Sequence, residues 1–193
     1  MNWKDVAKLS EQARNVYLHP AANASSQAYW ESGEYDASLI QCQIEANSVL
    51  EFGCGNGRIL KNLYYYELYG VDISPEIIAG VENASLVSDF HKQVEAIFSW
   101  SVFIHLTSAE KLEAMKWIYD HLKVGGRAYL QIPIYDKTRE PESFIDVGVL
   151  SLEDFMSMAK QVGFTVEEIH NNYGEFSYSN VGANHNLFQV LKK

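Results

Sequence analysis

Apolar positions change their spacing several times along this chain, and the changes predict its elements. Val6, Leu9, Ala13, Val16 and Tyr17 recur at helical spacing and predict one amphipathic helix, which Pro20 and a run of small polar residues end. Tyr29-Trp30-Glu31-Ser32-Gly33 reads as a loop or short turn before a helix from about Ala37 to Glu45. From there the pattern alternates. Strand Ser48–Phe52 precedes a helix from about Arg58 to Tyr66, and strand Leu68–Val71 precedes Ser74-Pro75-Glu76, which predicts a helix start with a serine cap and proline in the first turn. That short helix runs to about Asn83, followed by strands Ser85–Ser88 and Glu95–Trp100.

Thr107-x-x-Glu110 predicts a capping box, after which Leu112, Met115, Tyr119 and Leu122 fall on one helical face. Gly125-Gly126 is expected to end that helix and lead into strand Arg127–Ile132. Ser151-x-x-Asp154 opens another helix, with Phe155, Met158, Ala159 and Val162 inward and Gly163 as its stop. Phe164–Ile169 and Asn186–Leu191 read as strands with no helix between them. Such alternation implies an α/β fold: a mostly parallel sheet with helices on both faces and an antiparallel C-terminal edge hairpin. A single domain over residues 1–193 is expected, with 1–47 as an N-terminal helical cap and 48–193 as the core.

Charge narrows the ligand. The 15 lysines and arginines against 25 aspartates and glutamates give a formal charge of −10, with no basic cluster. This argues against nucleic acid as substrate. The two cysteines make no disulfide framework, and without a leader or a long apolar run the expectation is a cytoplasmic protein with no membrane segment. Six histidines show no metal-ligand spacing, so no metal is expected.

The chemistry concentrates in Val49-Leu-Glu-Phe-Gly-Cys-Gly-Asn-Gly-Arg58. Alternate glycines let the backbone turn sharply and approach a ligand closely. A helix N-terminus is expected to follow, offering free N–H groups. Arg58 stands where the dinucleotide fingerprint needs its third glycine, and no Tyr-x-x-x-Lys pair is present, so a nicotinamide-dependent oxidoreductase is disfavoured. Glu51, Gly53, Gly55 and Gly57 complete the pattern E/D-x-G-x-G-x-G, and here the chain resembles the class I S-adenosylmethionine-dependent methyltransferases.

The resemblance covers roughly Ser48 to the C-terminus and implies a Rossmann-like seven-stranded sheet, S-adenosylmethionine as cofactor and a methyl acceptor. It implies that Glu51, Phe52, Gly53, Cys54, Gly55, Gly57, Arg58, Asp72, Ile73, Asp89, Phe90, Ser99 and Trp100 bind the cofactor. Asp72 would hold the ribose hydroxyls; its alternative is a helix cap. Asp89 would meet the adenine amino group and Phe90 its ring; the alternative for Asp89 is a surface turn. Arg58 would close over the cofactor carboxylate or pair with Glu51. Cys54 reads as a small packed spacer rather than a thiol nucleophile.

Methyl transfer needs little beyond in-line approach, because the sulfonium is already activated. A base is needed only for a protonated acceptor, and His105 is the candidate; its alternative is to order the turn before Thr107. Tyr29, Trp30 and Tyr135 are candidate substrate contacts, with core anchoring as the alternative for Tyr29 and Trp30. Residues 136–149 and 173–185 read as loops over an acceptor pocket. The partner is therefore expected to be a small-molecule acceptor. A non-catalytic regulator or partner subunit on the same fold is the competing reading, with the aromatic run Tyr64–Tyr66 as its contact surface or as part of a core helix.

Overall fold

Five consecutive buried residues, Ser48 to Phe52, make β1, the mark of a strand covered on both faces. The computed structural model describes residues 3–6, 8–9, 26–170 and 188–193. The chain divides into two compact units, Met1–His91 and Lys92–Lys193. Seven strands form one sheet in the order β3-β2-β1-β4-β5-β9-β8, a Rossmann-like arrangement.

In the first unit, β1 pairs in parallel with β2 (Glu67–Asp72), and β2 with β3 (Ala84–Leu86). The one-turn helix α1 (Trp3–Val6) covers the start of the predicted N-terminal helix, and Leu9 lies in a bend beyond it; Ala13, Val16 and Tyr17 lie outside the described residues.

Residues 29–33, expected as a loop, lie inside α2 (Ser26–Gln43). Gly33 misled the reading. It is not a turn residue: a Cβ there would lie 2.2 Å from the Arg58 carbonyl oxygen, so its bare backbone admits the neighbouring segment.

Two predicted helices are absent. Residues 58–66 give only a 3-10 turn at Leu60–Asn62, and the chain turns extended at Leu63. The following tyrosines are poor helix formers, and Tyr65 donates its hydroxyl to the Ile44 carbonyl at 3.1 Å. Tyr64 and Tyr66 are exposed, so the aromatic run is not a core helix. Residues 75–83 form turns, not a helix. Gly80 and Asn83 take positive φ, which interrupts a segment already too short to hold helical structure alone.

In the second unit, β4 (Val94–Ser99) pairs in parallel with β5 (Leu122–Leu130). Gly125-Gly126 lies within β5 rather than ending the helix before it. The register jumps there, with Val94 opposite Leu122 but Ala96 opposite Arg127. A Cβ on Gly126 would sit 2.8 Å from the Glu95 carbonyl, so the bulge is fitted around missing side chains.

The capping box forms as predicted at the start of α3 (Ser108–His121). The buried face is Lys111, Ala114, Met115 and Ile118, which leaves Leu112 and Tyr119 of the predicted face half-buried. The short parallel pair β6 (Ile134–Tyr135) and β7 (Leu150–Ser151) brackets the predicted loop. Ser151 accepts the Asp154 N–H to cap α4 (Leu152–Val162), and Gly163 ends it with φ 105°. The antiparallel strands appear as β8 (Thr165–Glu168) and β9 (Gln189–Lys192), with β9 also antiparallel to β5. Among the described residues no helix is long and apolar enough to cross a membrane.

Candidate functional site

The buried strand β1 runs straight into the glycine loop. Gly53, Gly55 and Gly57 all have positive φ, at 79°, 53° and 77°, so the loop coils tightly through conformations that side chains resist. The N–H groups of Gly53 and Cys54 both donate to the Val71 carbonyl, at 2.8 and 3.0 Å, which fixes the loop to the end of β2. Cys54 is buried, and a Cβ on Gly70 would meet its sulfur at 2.8 Å. That is the packed-spacer reading; burial holds its thiol well above the ordinary range, far from a nucleophile.

Asp72 closes β2 beside the loop. Its Oδ2 accepts the Gly55 N–H at 3.0 Å and its Oδ1 accepts the Ser74 N–H at 3.1 Å. The Ile73 N–H is a third donor to this carboxylate, which still leaves it acceptor capacity for a ligand. Burial raises the Asp72 carboxyl, and these N–H donors oppose the rise. Next to it the large apolar side chain of Ile73 is exposed.

Glu51 is the least expected group. It is 3 % exposed, yet its Oε2 has no hydrogen-bond partner. Burial lifts its carboxyl from 4.5 to about 8; Arg58 opposes the lift, while Asp72 and Asp36 add to it. The charges around it are two carboxyl groups, Asp72 and Asp36, against the one Arg58 guanidinium.

Arg58 acts electrostatically on Glu51 and also reaches helix α2. Its Nη1 lies 2.7 Å from Asp36 Oδ2 and donates to Ser32 Oγ at 2.9 Å, both on α2. Tyr29 is buried too. Its hydroxyl donates to Asn56 Oδ1 at 2.6 Å, and the Arg58 guanidinium lies 5.7 Å from its ring centre. These are the contacts of a core anchor, the alternative reading of Tyr29, and they correct the substrate contact expected of it. Trp30 is half-buried with Lys61 Nζ 3.6 Å from its ring centre, so a protein cation already covers that ring face. Helix α2 thus grips the glycine loop, a link the loop reading of 29–33 had hidden.

Asp89 is exposed at the end of a 3-10 turn and accepts the Ser88 hydroxyl, while Phe90 is buried edge-on to Tyr69 with ring centres 5.5 Å apart. A cavity of about 640 Å³ opens beside the loop, lined by Trp30, Asn56, Gly57, Lys61 and the turns of residues 76–83. Neither Glu51 nor Asp72 lines it.

In the second unit, Ser99 and Trp100 are buried where β4 ends, Trp100 edge-on to Phe188 with ring centres 5.4 Å apart. His105 follows on a 3-10 turn, Phe103–His105. Its Nδ1 is 3.0 Å from the Asp146 carbonyl. A carbonyl only accepts, so Nδ1 carries the proton and Nε2 is the basic nitrogen. Burial lowers the imidazole from its ordinary range.

Residues 139–149 close over this turn as a strap. Arg139 and Val149 exchange both backbone hydrogen bonds, Gly148 N–H donates to the Ile104 carbonyl at 2.6 Å, and Arg139 grips Asp146 through its two terminal guanidinium nitrogens, Nη1 and Nη2. Tyr135 is buried and borders a cavity of about 490 Å³ with Asp136, Lys137, Thr138, Ser151, Leu152 and Glu153. Residues 173–185 lie outside the described residues. Among the described residues no group of three or more His, Cys, Asp or Glu side chains is placed to hold a metal ion.

A glycine loop after the first strand and an acid closing the second define a Rossmann-like domain of the nucleoside-binding class. The model of the methyltransferase domain family matches residues 29–169, and the chain belongs to that family. The match begins within the segment that the sequence reading had left outside the resemblance. No curated protein matches the chain in sequence.

Solved structures share the fold. DesVI of Streptomyces venezuelae superposes with a TM-score of 0.60 at 15% identity, over 83% of this chain and 91% of that one. CalS10, an amino pentose methyltransferase from Micromonospora echinaspora with S-adenosylmethionine bound, gives 0.58 at 14%, over 91% and 94%. The magnesium protoporphyrin IX methyltransferase of Synechocystis with bound S-adenosylhomocysteine gives 0.54 at 11%, over 98% and 90%.

Proposed function

We propose that this enzyme transfers the methyl group of S-adenosylmethionine to a small-molecule acceptor. One observation carries the reading: a buried Glu51 with an unsatisfied oxygen, under a loop of three positive-φ glycines that Asp72 fastens. The donor set fits the cofactor. Its cationic methionine end suits a buried carboxylate in a cluster of net negative charge, and its ribose suits the open lone pairs of Asp72. When bound, the cofactor supplies a methyl group on an activated sulfonium.

The chain's own residues then bind and orient. Glu51, the backbone of Phe52 to Gly57 and Asp72 hold the polar parts. The exposed Ile73, with Asp89 and Phe90 assigned by motif, takes the adenine. Arg58 serves indirectly, by locking the loop to α2. Ser99 and Trp100 remain assigned by motif. His105, with Nδ1–H given to Asp146, offers Nε2 as the base for a protonated acceptor. The cavity bordered by Tyr135 is the candidate acceptor site of the second unit. Relatives in fold that act on an amino pentose and a magnesium protoporphyrin support a small molecule without choosing one. The strongly acidic chain disfavours polyanionic acceptors.

Calorimetric titration with S-adenosylmethionine and S-adenosylhomocysteine, with NAD as control, tests the reading. Binding of both adenosyl ligands and not NAD is expected. A well-folded protein that binds neither overturns it.

A further inference from the structure

Lys111 is 1 % exposed on the inner face of α3, in register with Ala114, Met115 and Ile118. A lysine on an apolar stripe is costly unless its charge is used. Its Nζ donates to the Leu106 carbonyl, one residue beyond His105. The strap covers it from the other side: a Cβ on Gly148 would lie 3.2 Å from Nζ, and 2.7 Å from Pro141 Cδ of the strap itself, so the strap passes close over the amine. The same Gly148 donates its N–H to the Ile104 carbonyl, one residue before His105. The two hydrogen bonds therefore clamp the turn on both sides of the imidazole.

We propose that Lys111 is a positioning residue for His105: it fixes the turn through Leu106 and, by its buried charge, keeps the imidazole in the neutral form whose Nε2 can accept a proton. This rests on the reading of His105 as base. The charged groups facing the pair are Asp146, whose partner is Arg139, on the strap, Glu140 on the strap, and Glu110 on α3. Burial does most to hold the imidazole neutral; Asp146 favours the imidazolium, and Lys111 adds to the effect of burial. Burial brings the amine down to about 8, with Glu140 and Glu110 acting against that fall, so it is still charged where a histidine titrates. Glu140 also accepts the Ser108 N–H at 2.9 Å, which ties the strap to the start of α3. Among the lysines whose burial the structure describes, no other is nearly so buried.

The test is the titration of His105 by NMR in the full chain, its signal assigned by loss in H105Q, for wild type, K111R and K111Q. Glutamine keeps an N–H donor for Leu106 without the charge. An upward shift of the His105 midpoint in K111Q, with K111R close to wild type, is expected. If K111Q folds poorly, K111M gives the same reading, because it fills the channel without charge. An unmoved midpoint in a folded uncharged variant overturns the proposal. The acid limb of kcat/KM then separates the two levels. If it moves up with the midpoint, both hold. If the midpoint moves and the limb does not, Lys111 still tunes His105, and the role of His105 as base falls.

Discussion

Asp36 on α2 and Arg58 after the glycine loop form an ion pair of 2.7 Å with both side chains under a tenth exposed. Neither charge has water to fall back on. Replacing Asp36 by alanine strands a buried guanidinium beside Ser32 and Tyr29. The expected loss is about 3–5 kcal/mol, the usual result of removing one partner of a buried pair. Urea unfolding of Asp36→Ala against wild type measures it; a loss below 1 kcal/mol would mean that Arg58 simply swings to solvent.

Gly33 tests the same grip from its backbone side. In an ordinary exposed helix a glycine-to-alanine change stabilises by about 1 kcal/mol. Here the new methyl would lie 2.2 Å from the Arg58 carbonyl, and that atom belongs to backbone. Gly33→Ala is expected to destabilise by about 1–3 kcal/mol, the range for overpacking. Thermal unfolding gives the sign directly.

Glu51 makes stability depend on pH. Its folded carboxyl, at about 8, lies above the ordinary 4.5. Between those values the folded chain holds a proton that the unfolded chain has released. Its contribution is therefore complete below pH 4.5 and fades as pH rises through about 8. Glu51→Gln keeps its stability across this window, and the gap between the two unfolding curves should widen from pH 4.5 to about 8 and level off above it.

The same proton bears on the cofactor. A cation seated against Glu51 favours the carboxylate, so binding near pH 7 should release protons. Calorimetry in buffers of different ionisation enthalpy would show this as a buffer-dependent heat, absent in Glu51→Gln. A heat independent of buffer would place the cation elsewhere.

Asp72 has two duties that one variant can separate. Asp72→Ala is expected to weaken cofactor binding by roughly 1.5–3 kcal/mol through lost charged hydrogen bonds. It also frees the N–H groups of Gly55 and Ser74, so a drop in melting temperature should accompany it. Lower stability with unchanged affinity would leave Asp72 as a loop fastener only.

The strands were legible because their patterns are local: β1 and β4 are apolar runs, and the Thr107 and Ser151 caps are written within four residues each. The glycine loop was legible for the same reason, since its positive φ angles need glycine. What escaped the sequence was decided by partners far along the chain. Gly33 reads as a turn until Arg58 is seen against it. Tyr65 leaves its helix for the Ile44 carbonyl. Lys111 sits one position from the stripe chosen by hydropathy, because a charged residue is not counted as core until its carbonyl partner is known.

The position of β9 bears on how this protein comes to be folded. It is the last described strand in sequence but stands between β5 and β8 in space. Among the described residues β8 has no other strand beside it, and about sixty residues separate β5 from its antiparallel partner. On a translating ribosome β8 emerges before the strand that must shelter it, and its edge waits unpaired. Assembly of that half of the sheet is thus a late, long-range event, and agents that bind nascent edges have their opening there.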